Sequence, residues 1–175
     1  MGRAFSACAF APAVIEHGGR LDIAEKPHPM NQFGLRFHHF GLAVPGSDDA
    51  FRFLKALGYR LGPTIFDPLQ MVNLAMCTHR EMPDVEVVWP SDVASPIDGL
   101  LRRNGPMVYH LCFFAASARV AIASLEQAGF NMALIREAKP AVLFGGREVS
   151  FYSVDGIGVI ELIDGEPLHP DMTRG

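Results

Sequence analysis

The chain has 175 residues, enough for one domain or for two small modules that share a core, and 49% of its residues are hydrophobic. Its formal net charge is −4 and its Lys and Arg residues form no cluster, which argues against nucleic-acid binding because neutralising phosphates requires concentrated positive charge. Cys8, Cys77 and Cys112 form an odd, widely spaced set that favours a reducing, cytoplasmic compartment, and no apolar run approaches the ~20 residues of a membrane span.

Residues 1–36 show no sustained periodicity and are predicted to form a loosely structured N-terminal arm. Residues 37–104 are predicted to form a first module. In this module the Ser47-Asp48 pair supplies the cap of a helix over 49–57, and Gly58 ends that helix. The strands of the module are predicted at Phe37–Val44, Tyr59–Phe66, Met71–Cys77 and Val85–Trp89, followed by a connecting helix at Ser95–Arg103.

Residues 105–164 are predicted to form a second module with the same order of elements, and residues 165–175 a C-terminal tail. Its strands are predicted at Met107–Phe114, Phe130–Arg136, Glu148–Val154 and Gly158–Ile163, and its helix at Ser117–Ala128. The helix residues expected to face the core are Phe51, Leu54 and Leu57 in the first module and Val120, Ile122, Leu125 and Ala128 in the second.

The two modules are copies of one unit. The stretch around His39 reappears around His110, and Leu54 corresponds to Leu125 at the same offset. Each copy has the element order β-α-β-β-β. We therefore expect an α+β fold in which two βαβββ modules of one chain join their sheets into an incomplete barrel around a metal cleft.

Equivalent polar residues of the two modules are candidate metal ligands. Because side chains alternate along a strand, His39 shares its face with Gly41, which leaves room for a bound group. Glu86 and Glu161 lie within apolar strands, where a carboxylate is costly to bury unless it is paired or bound to a metal. Nitrogen and oxygen ligands of this kind suit Zn, Ni, Co, Mn or Fe(II). The predicted ligands of one divalent metal ion are His39, Glu86, His110 and Glu161.

Two neighbours of these residues are predicted to have no role in the metal site. Strict alternation places His38 on the strand face opposite to His39, so His38 is not expected to be a ligand. Cys112 has no adjacent base that would make it a nucleophile, so it is expected to be a small core residue.

Motifs within residues 37–164 resemble those of the vicinal-oxygen-chelate superfamily, which includes glyoxalases, bleomycin resistance proteins and dioxygenases. Within that superfamily, these motifs resemble most closely the motifs of the methylmalonyl-CoA epimerase family. Residues 39–44 (HFGLAV) are similar to the family's opening HxGxAV strand. Residues 95–105, followed by His110, are similar to its SPI…FL…NG…HH segment, and residues 158–162 (GVIEL) to its closing GVLIEL strand. The resemblance implies the paired βαβββ fold, a metal held by one residue from each of four strands, and frequent formation of homodimers.

The sequence departs from the epimerase pattern at three places. Glu86 stands where the epimerases carry a Gln ligand, Asn73 where they carry a base-like Glu, and residues 154–156 where they carry a Pro-Lys-Ser segment that contacts the CoA end. We expect Glu161 to be the catalytic base, with Glu86 able to act from the opposite side. Asn73 is a candidate for hydrogen bonding to the substrate, and Arg147 for binding an anionic group.

The resemblance and the ligand set predict a metal-dependent epimerase, isomerase or lyase that removes a proton next to a carbonyl or hydroxyl group. The substrate would be a small metabolite such as an acyl-CoA, a 2-oxo acid, or a sugar or cyclitol phosphate. Two alternatives are an Fe(II)-dependent extradiol-type dioxygenase and a non-enzymatic binding or resistance protein of the same fold. A fourth ligand at Glu86 argues against the dioxygenase, and a complete ligand set argues against the binding protein.

Overall fold

The computed structural model describes residues 31–165. Most of the predicted N-terminal arm and nearly all of the predicted C-terminal tail therefore lie outside the described residues. Within residues 31–165, no helix is long and apolar enough to cross a membrane.

The elements of the first half are close to those predicted. They are β1 (Leu35–Ala43), α1 (Ser47–Ala56), β2 (Arg60–Leu61), β3 (Ile65–Asp67), β4 (Val72–Thr78), β5 (Asp84–Pro90) and the connecting helix α2 (Pro96–Asn104). A capping box fixes the start of α2, because Ser95 accepts a hydrogen bond from the backbone N–H of Ile97 while Asp98 accepts one from that of Ser95.

The elements of the second half follow the same order. They are β6 (Met107–Ala115), α3 (Ala118–Gln127), β7 (Met132–Pro140), a 3-10 helix (Val142–Phe144), β8 (Glu148–Val154) and β9 (Gly158–Asp164).

The strands form one curved, open sheet in the order β2-β4-β5-β1-β6-β9-β8-β7, with β3 paired to β4. At its centre β1 and β6 pair antiparallel, and each is flanked on its other side by the parallel last strand of its own half, β5 or β9. The two halves are thus joined through their first strands. The predicted α+β class and the incomplete barrel are confirmed.

Both helices α1 and α3 pack on the outer face of the sheet. Ala50 and Leu54 of α1 contact one apolar cluster, and Ala121 and Leu125 of α3 contact the equivalent cluster of the second half. The inner, concave face carries separate apolar clusters around the candidate site, one of which includes Phe151. Burial of apolar surface on both faces holds the central strands rigidly in place.

Three local predictions are wrong for identifiable reasons. The predicted strand over 59–66 is divided into β2 and β3, since Pro63 has no N–H to donate to a ladder. The residue that caps α1 is Gly46, and the Ser47-Asp48 pair lies within the first turn. Leu57, Val120 and Ala128 are exposed, because the helix faces that contact the sheet are formed by Ala50 and Leu54 in α1 and by Ala121 and Leu125 in α3.

Candidate metal centre

The four candidate ligands meet at the middle of the sheet. His39 and His110, which are 71 residues apart in the sequence, place their Nε2 atoms 3.2 Å apart. Oε2 of Glu161 lies 3.3 Å from Nε2 of His39 and 3.2 Å from Nε2 of His110. Oε2 of Glu86 lies 3.6 Å from both Nε2 atoms. All four side chains are buried.

The pairing of four neighbouring strands brings these side chains together. Gly41 of β1 pairs with His110 of β6 on one side and with Glu86 of β5 on the other. Glu161 of β9 pairs with Cys112 of β6, which lies on the same strand face as His110. Each half therefore contributes a His from its first strand and a Glu from its last strand.

The spacing of these atoms suits a single divalent ion. Bonds of about 2.1 Å place the ligands of a tetrahedral ion about 3.4 Å apart, and adjacent ligands of an octahedral ion about 3.0 Å apart. The observed separations of 3.2 to 3.6 Å lie within or slightly above this range. Oε2 of Glu161 is buried and has no hydrogen-bond partner within the described residues. Such an oxygen is costly unless a cation satisfies it, so the residues present fit a divalent metal ion.

The site is strongly polarised in the metal-free protein. Burial favours the neutral form of His39, but the adjacent carboxylates of Glu161 and Glu86 outweigh burial and raise the pKa of His39 to about 9. Burial favours the protonated form of Glu161, but the charges of the adjacent His110 and His39 imidazoles outweigh burial and lower the pKa of Glu161 well below its usual value. The carboxylate of Glu161 is therefore ionised at neutral pH and attracts a cation.

Each candidate His ligand follows the extra residue of a β-bulge. The β1–β6 ladder shifts register twice, which leaves His38 of β1 and Tyr109 of β6 without partners. Bulges of this kind redirect side chains next to functional sites. The prediction that His38 faces away from the site is therefore wrong, because its Nδ1 lies 2.6 Å from Nδ1 of His39. Tyr109 contacts His110, with a ring-centroid distance of 4.4 Å.

Asn73 does not join the four ligands. It pairs with Trp89 of β5, whose ring packs on α1, so Asn73 lies on the outer face of the sheet. Its amide donates a hydrogen bond to the backbone oxygen of Pro90 at 3.1 Å. The residue of β4 opposite Glu86 is Met76, which has no acid or base group. This placement does not support a contact between Asn73 and a substrate in the cleft.

A cleft of about 550 Å³ opens beside the candidate ligands, within the size range of small-molecule sites. Tyr109 and Phe151 connect the cleft to the candidate metal site, since they line the cleft and also contact the ring of His110. The cationic residues of the cleft wall are Arg103 of α2 and Arg136 of β7. No sequence pattern indicates either arginine, because their position depends on how β7 and α2 meet across the cleft.

Arg147 is placed elsewhere. It is absent from the described lining of this cleft, and its guanidinium lies over the ring of Phe114 at 5.5 Å. Phe114 also contacts His38, with ring centroids 4.6 Å apart. Arg147 therefore belongs to the environment of His38 rather than to the cleft wall.

Comparisons with solved structures identify the same fold in proteins of low sequence identity. A hypothetical protein from Bacillus halodurans C-125 is 21% identical, with a TM-score of 0.63 over 77% of this chain and 96% of that one. Methylmalonyl-CoA epimerase from Mycobacterium tuberculosis is 20% identical, with a TM-score of 0.60 over 75% and 88%. A variant of the Streptomyces coelicolor methylmalonyl-CoA epimerase in complex with 2-nitronate-propionyl-CoA is 20% identical, with a TM-score of 0.61 over 76% and 96%.

Sequence comparison identifies the family. No curated protein sequence matches the chain. Residues 38–151, which contain the first three candidate ligands and both bulges, match the family described as Glyoxalase/Bleomycin resistance protein/Dioxygenase superfamily. The chain belongs to the glyoxalase/bleomycin resistance protein/dioxygenase superfamily, as its motifs predicted.

Proposed function

We propose that this protein is a metal-dependent epimerase, isomerase or lyase that removes a proton from a carbon next to a carbonyl or hydroxyl group of a small metabolite. The main support is the buried set of two imidazoles and two carboxylates, with one unpartnered carboxylate oxygen, beside a cleft of small-molecule size. The fold that the chain shares with methylmalonyl-CoA epimerases is consistent with this chemistry.

His39, His110, Glu86 and Glu161 would hold the divalent ion, which is Zn, Ni, Co, Mn or Fe in this proposal. When bound, such an ion stabilises the negative charge that develops on a substrate oxygen when the neighbouring carbon loses its proton.

Glu161 is the proposed base. Its carboxylate is buried and ionised, and Oε2 lies within 3.3 Å of Nε2 of both His39 and His110, so it is held where it can accept a proton next to the bound ion. Glu86 approaches from the other half of the sheet and is the proposed second acid/base group. The polar residues that line the described cleft are Gln70, Arg103, Tyr109 and Arg136, so its wall adds no further carboxylate. Burial raises the pKa of Tyr109 well above its usual value, which keeps its hydroxyl a hydrogen-bond donor.

The cleft favours a substrate with an apolar body and an anionic end. Val72, Val88 and Ile97 form apolar walls, and Arg103 and Arg136 are the cations. Carboxylates and phosphates are the groups that arginine binds best. An acyl-CoA or a 2-oxo acid fits this description better than a sugar or cyclitol phosphate, whose hydroxyls need several polar partners.

The proposal includes a homodimer in the cytoplasm that does not bind nucleic acid. Leu134 is exposed on the edge strand β7, where a second copy would cover it. Cys77 and Cys112 are both unpaired thiols, as expected in a reducing compartment. Light scattering of the purified protein would measure the oligomeric state.

Metal analysis combined with solvent-deuterium exchange tests the activity. The purified chain, loaded with each candidate ion, would be incubated in D₂O with a panel of acyl-CoA, 2-oxo acid and sugar-phosphate compounds. We expect exchange at a carbon next to a carbonyl group in at least one compound. Glu161→Gln should abolish exchange, and Glu81→Gln, which changes an exposed carboxylate, should not. The metal content of each variant would be measured in the same samples.

The alternatives give different results in this assay. Oxygen uptake with bound iron and no deuterium exchange would indicate the extradiol-type dioxygenase. Compound binding without exchange, unchanged in Glu161→Gln, would indicate a binding protein. Either result would overturn the proposed proton abstraction.

A further inference from the structure

The two ring nitrogens of His39 have different partners. Nε2 faces the candidate metal site, 3.3 Å from Glu161 and 3.2 Å from Nε2 of His110. Nδ1 points away from it and lies 2.6 Å from Nδ1 of His38. Two nitrogens at this distance share one proton, because one must donate and the other must accept.

We propose that His38 is a positioning residue that accepts the Nδ1–H of His39 and so keeps the Nε2 lone pair of His39 directed at the metal. The inference rests on the proposed metal site. A His ligand binds a metal through a nitrogen without a proton, so a ligand at Nε2 carries its proton on Nδ1. A partner for that proton fixes both the tautomer and the orientation of the ring.

The surroundings of His38 hold its ring in the accepting position. The bulge in β1 turns the side chain towards His39 instead of the opposite face. Phe114 and Phe144 then contact the ring edge-on, with centroid distances of 4.6 and 5.6 Å. Phe144 also stacks on His39 at 5.8 Å, so one aromatic ring orients both imidazoles.

The second half of the chain shows what the site is like without such a partner. Tyr109 occupies the equivalent bulge before His110, but it lines the cleft instead of pairing with Nδ1 of His110. Within the described residues, Nδ1 of His110 is buried with no hydrogen-bond partner. The two copies of the bulge have therefore diverged. The bulged residue supports a candidate ligand in the first half and lines the cleft in the second.

A second metal ion is the competing explanation for the same atoms. His38, His39 and Cys112 also offer ligand atoms close to one another. An ion there would need the thiolate of Cys112, and a thiol buried among apolar side chains resists losing its proton. A nitrogen–nitrogen distance of 2.6 Å also leaves no room for an ion between His38 and His39.

Three variants of the full chain separate these possibilities. His38→Leu removes the acceptor. His38→Asn restores one, because the amide oxygen of Asn occupies the place of the imidazole Nδ1. His79→Asn is the matched control, since it makes the same substitution at a histidine outside the candidate site whose Nδ1 also accepts hydrogen bonds. The dissociation constants and stoichiometries for Co²⁺ and Zn²⁺ would be measured by competition with a chromophoric chelator, with circular dichroism as a check on folding.

We expect His38→Leu to weaken metal binding about 10–100-fold, as removal of such supporting hydrogen bonds does elsewhere. His38→Asn should recover most of the affinity, and His79→Asn should bind metal like the wild type. In the Zn²⁺-loaded wild type, ¹⁵N NMR should show a proton on Nδ1 of His39 with scalar coupling to Nδ1 of His38. This NMR measurement is made on the wild type and needs no substitution.

Three other outcomes would contradict the proposed role of His38. A wild-type chain that binds one ion, together with a His38→Leu variant of equal affinity, would overturn the role of His38 and leave the proposed function intact. Two ions per chain, one of them lost in His38→Leu, would replace the positioning role with a second site. A wild-type chain that binds no ion would overturn both the positioning role and the proposed function.

Discussion

Gly41 of β1 lies directly opposite His110 of β6, so close that a Cβ on Gly41 would overlap the imidazole ring. On its other side Gly41 pairs with Glu86 of β5. The missing side chain therefore creates the space in which an imidazole from the second half reaches a carboxylate from the first. The need for glycine here is steric and not conformational, because its φ is not positive.

Gly41→Ala should displace His110 and weaken metal binding by at least about tenfold, while costing about 1–3 kcal/mol of unfolding free energy from overpacking. Metal affinity and chemical denaturation measure the two effects. Gly46→Ala is the matched control for metal affinity, since no atom lies near a Cβ at that position and Gly46 lies at the start of α1. Equal metal affinities of Gly41→Ala and the wild type would show that His110 is not a ligand.

Metal affinity should rise with pH up to about pH 9. In the metal-free protein, the adjacent carboxylates of Glu161 and Glu86 hold a proton on His39, with a pKa of about 9 despite burial. This proton must leave before Nε2 can bind a metal, so below pH 9 each unit decrease in pH should weaken binding about tenfold. Titrations between pH 7 and 9.5, corrected for the chelator used, would measure the slope. A flat profile would show that His39 binds metal without losing a proton.

The metal-free protein should have the opposite pH dependence of stability. Because the pKa of His39 is raised in the folded state, its contribution to stability is fully present below about pH 6.5 and is lost as the pH rises through about 9. Chelator-treated protein should therefore melt at a lower temperature at pH 9.5 than at pH 7, to an extent that His39→Gln reduces. An identical difference in His39→Gln would assign the effect to other groups.

Sequence periodicity predicted the four-residue cluster because strand alternation and the duplication act over long distances in the chain. Side-chain alternation along the strand predicts the face on which His39 lies, and the repeat predicts its equivalence to His110. The apolar context of Glu86 and Glu161 then suggested why these carboxylates would be buried. The structure brings these four side chains together for the same reasons.

Features that depend on pairing between strands could not be predicted in this way. His38 is in the site because β1 and β6 slip by one residue, and a bulge of this kind depends on the partner strand as much as on its own sequence. The family resemblance aligns Asn73 with the base-like Glu of the epimerases, but its pairing with Trp89 puts it on the outer face of the sheet. Arg136 was missed because β7 reaches the cleft only through tertiary packing.

Bound metal should stabilise the folded chain. Ligands that bind only the folded state add about 2.7 kcal/mol at 100 times their dissociation constant. For a chain of this size that corresponds to an increase in melting temperature of about 5–10 °C. Thermal denaturation with and without Zn²⁺ or Co²⁺ would measure the shift. The shift should be largely lost in Glu161→Leu, which removes the ligand oxygen, and smaller but present in Glu86→Gln, because a Gln oxygen can still coordinate a metal. Equal shifts in all three proteins would place the bound ion outside the cluster.

Arg136 should determine how well an anionic substrate binds. It lines the cleft, and its guanidinium donates a hydrogen bond to the backbone oxygen of Leu69, which holds it at the wall. A hydrogen bond to a charged group contributes about 1.5–3 kcal/mol, so Arg136→Gln should raise KM about 10–100-fold for an anionic compound that undergoes exchange, with a smaller change in kcat. Arg52→Gln on the exposed surface of α1 is the control. If the loss occurs instead in Arg147→Gln, the anionic group binds on the side of Phe114, as the sequence suggested, and the cleft described here is not the substrate site.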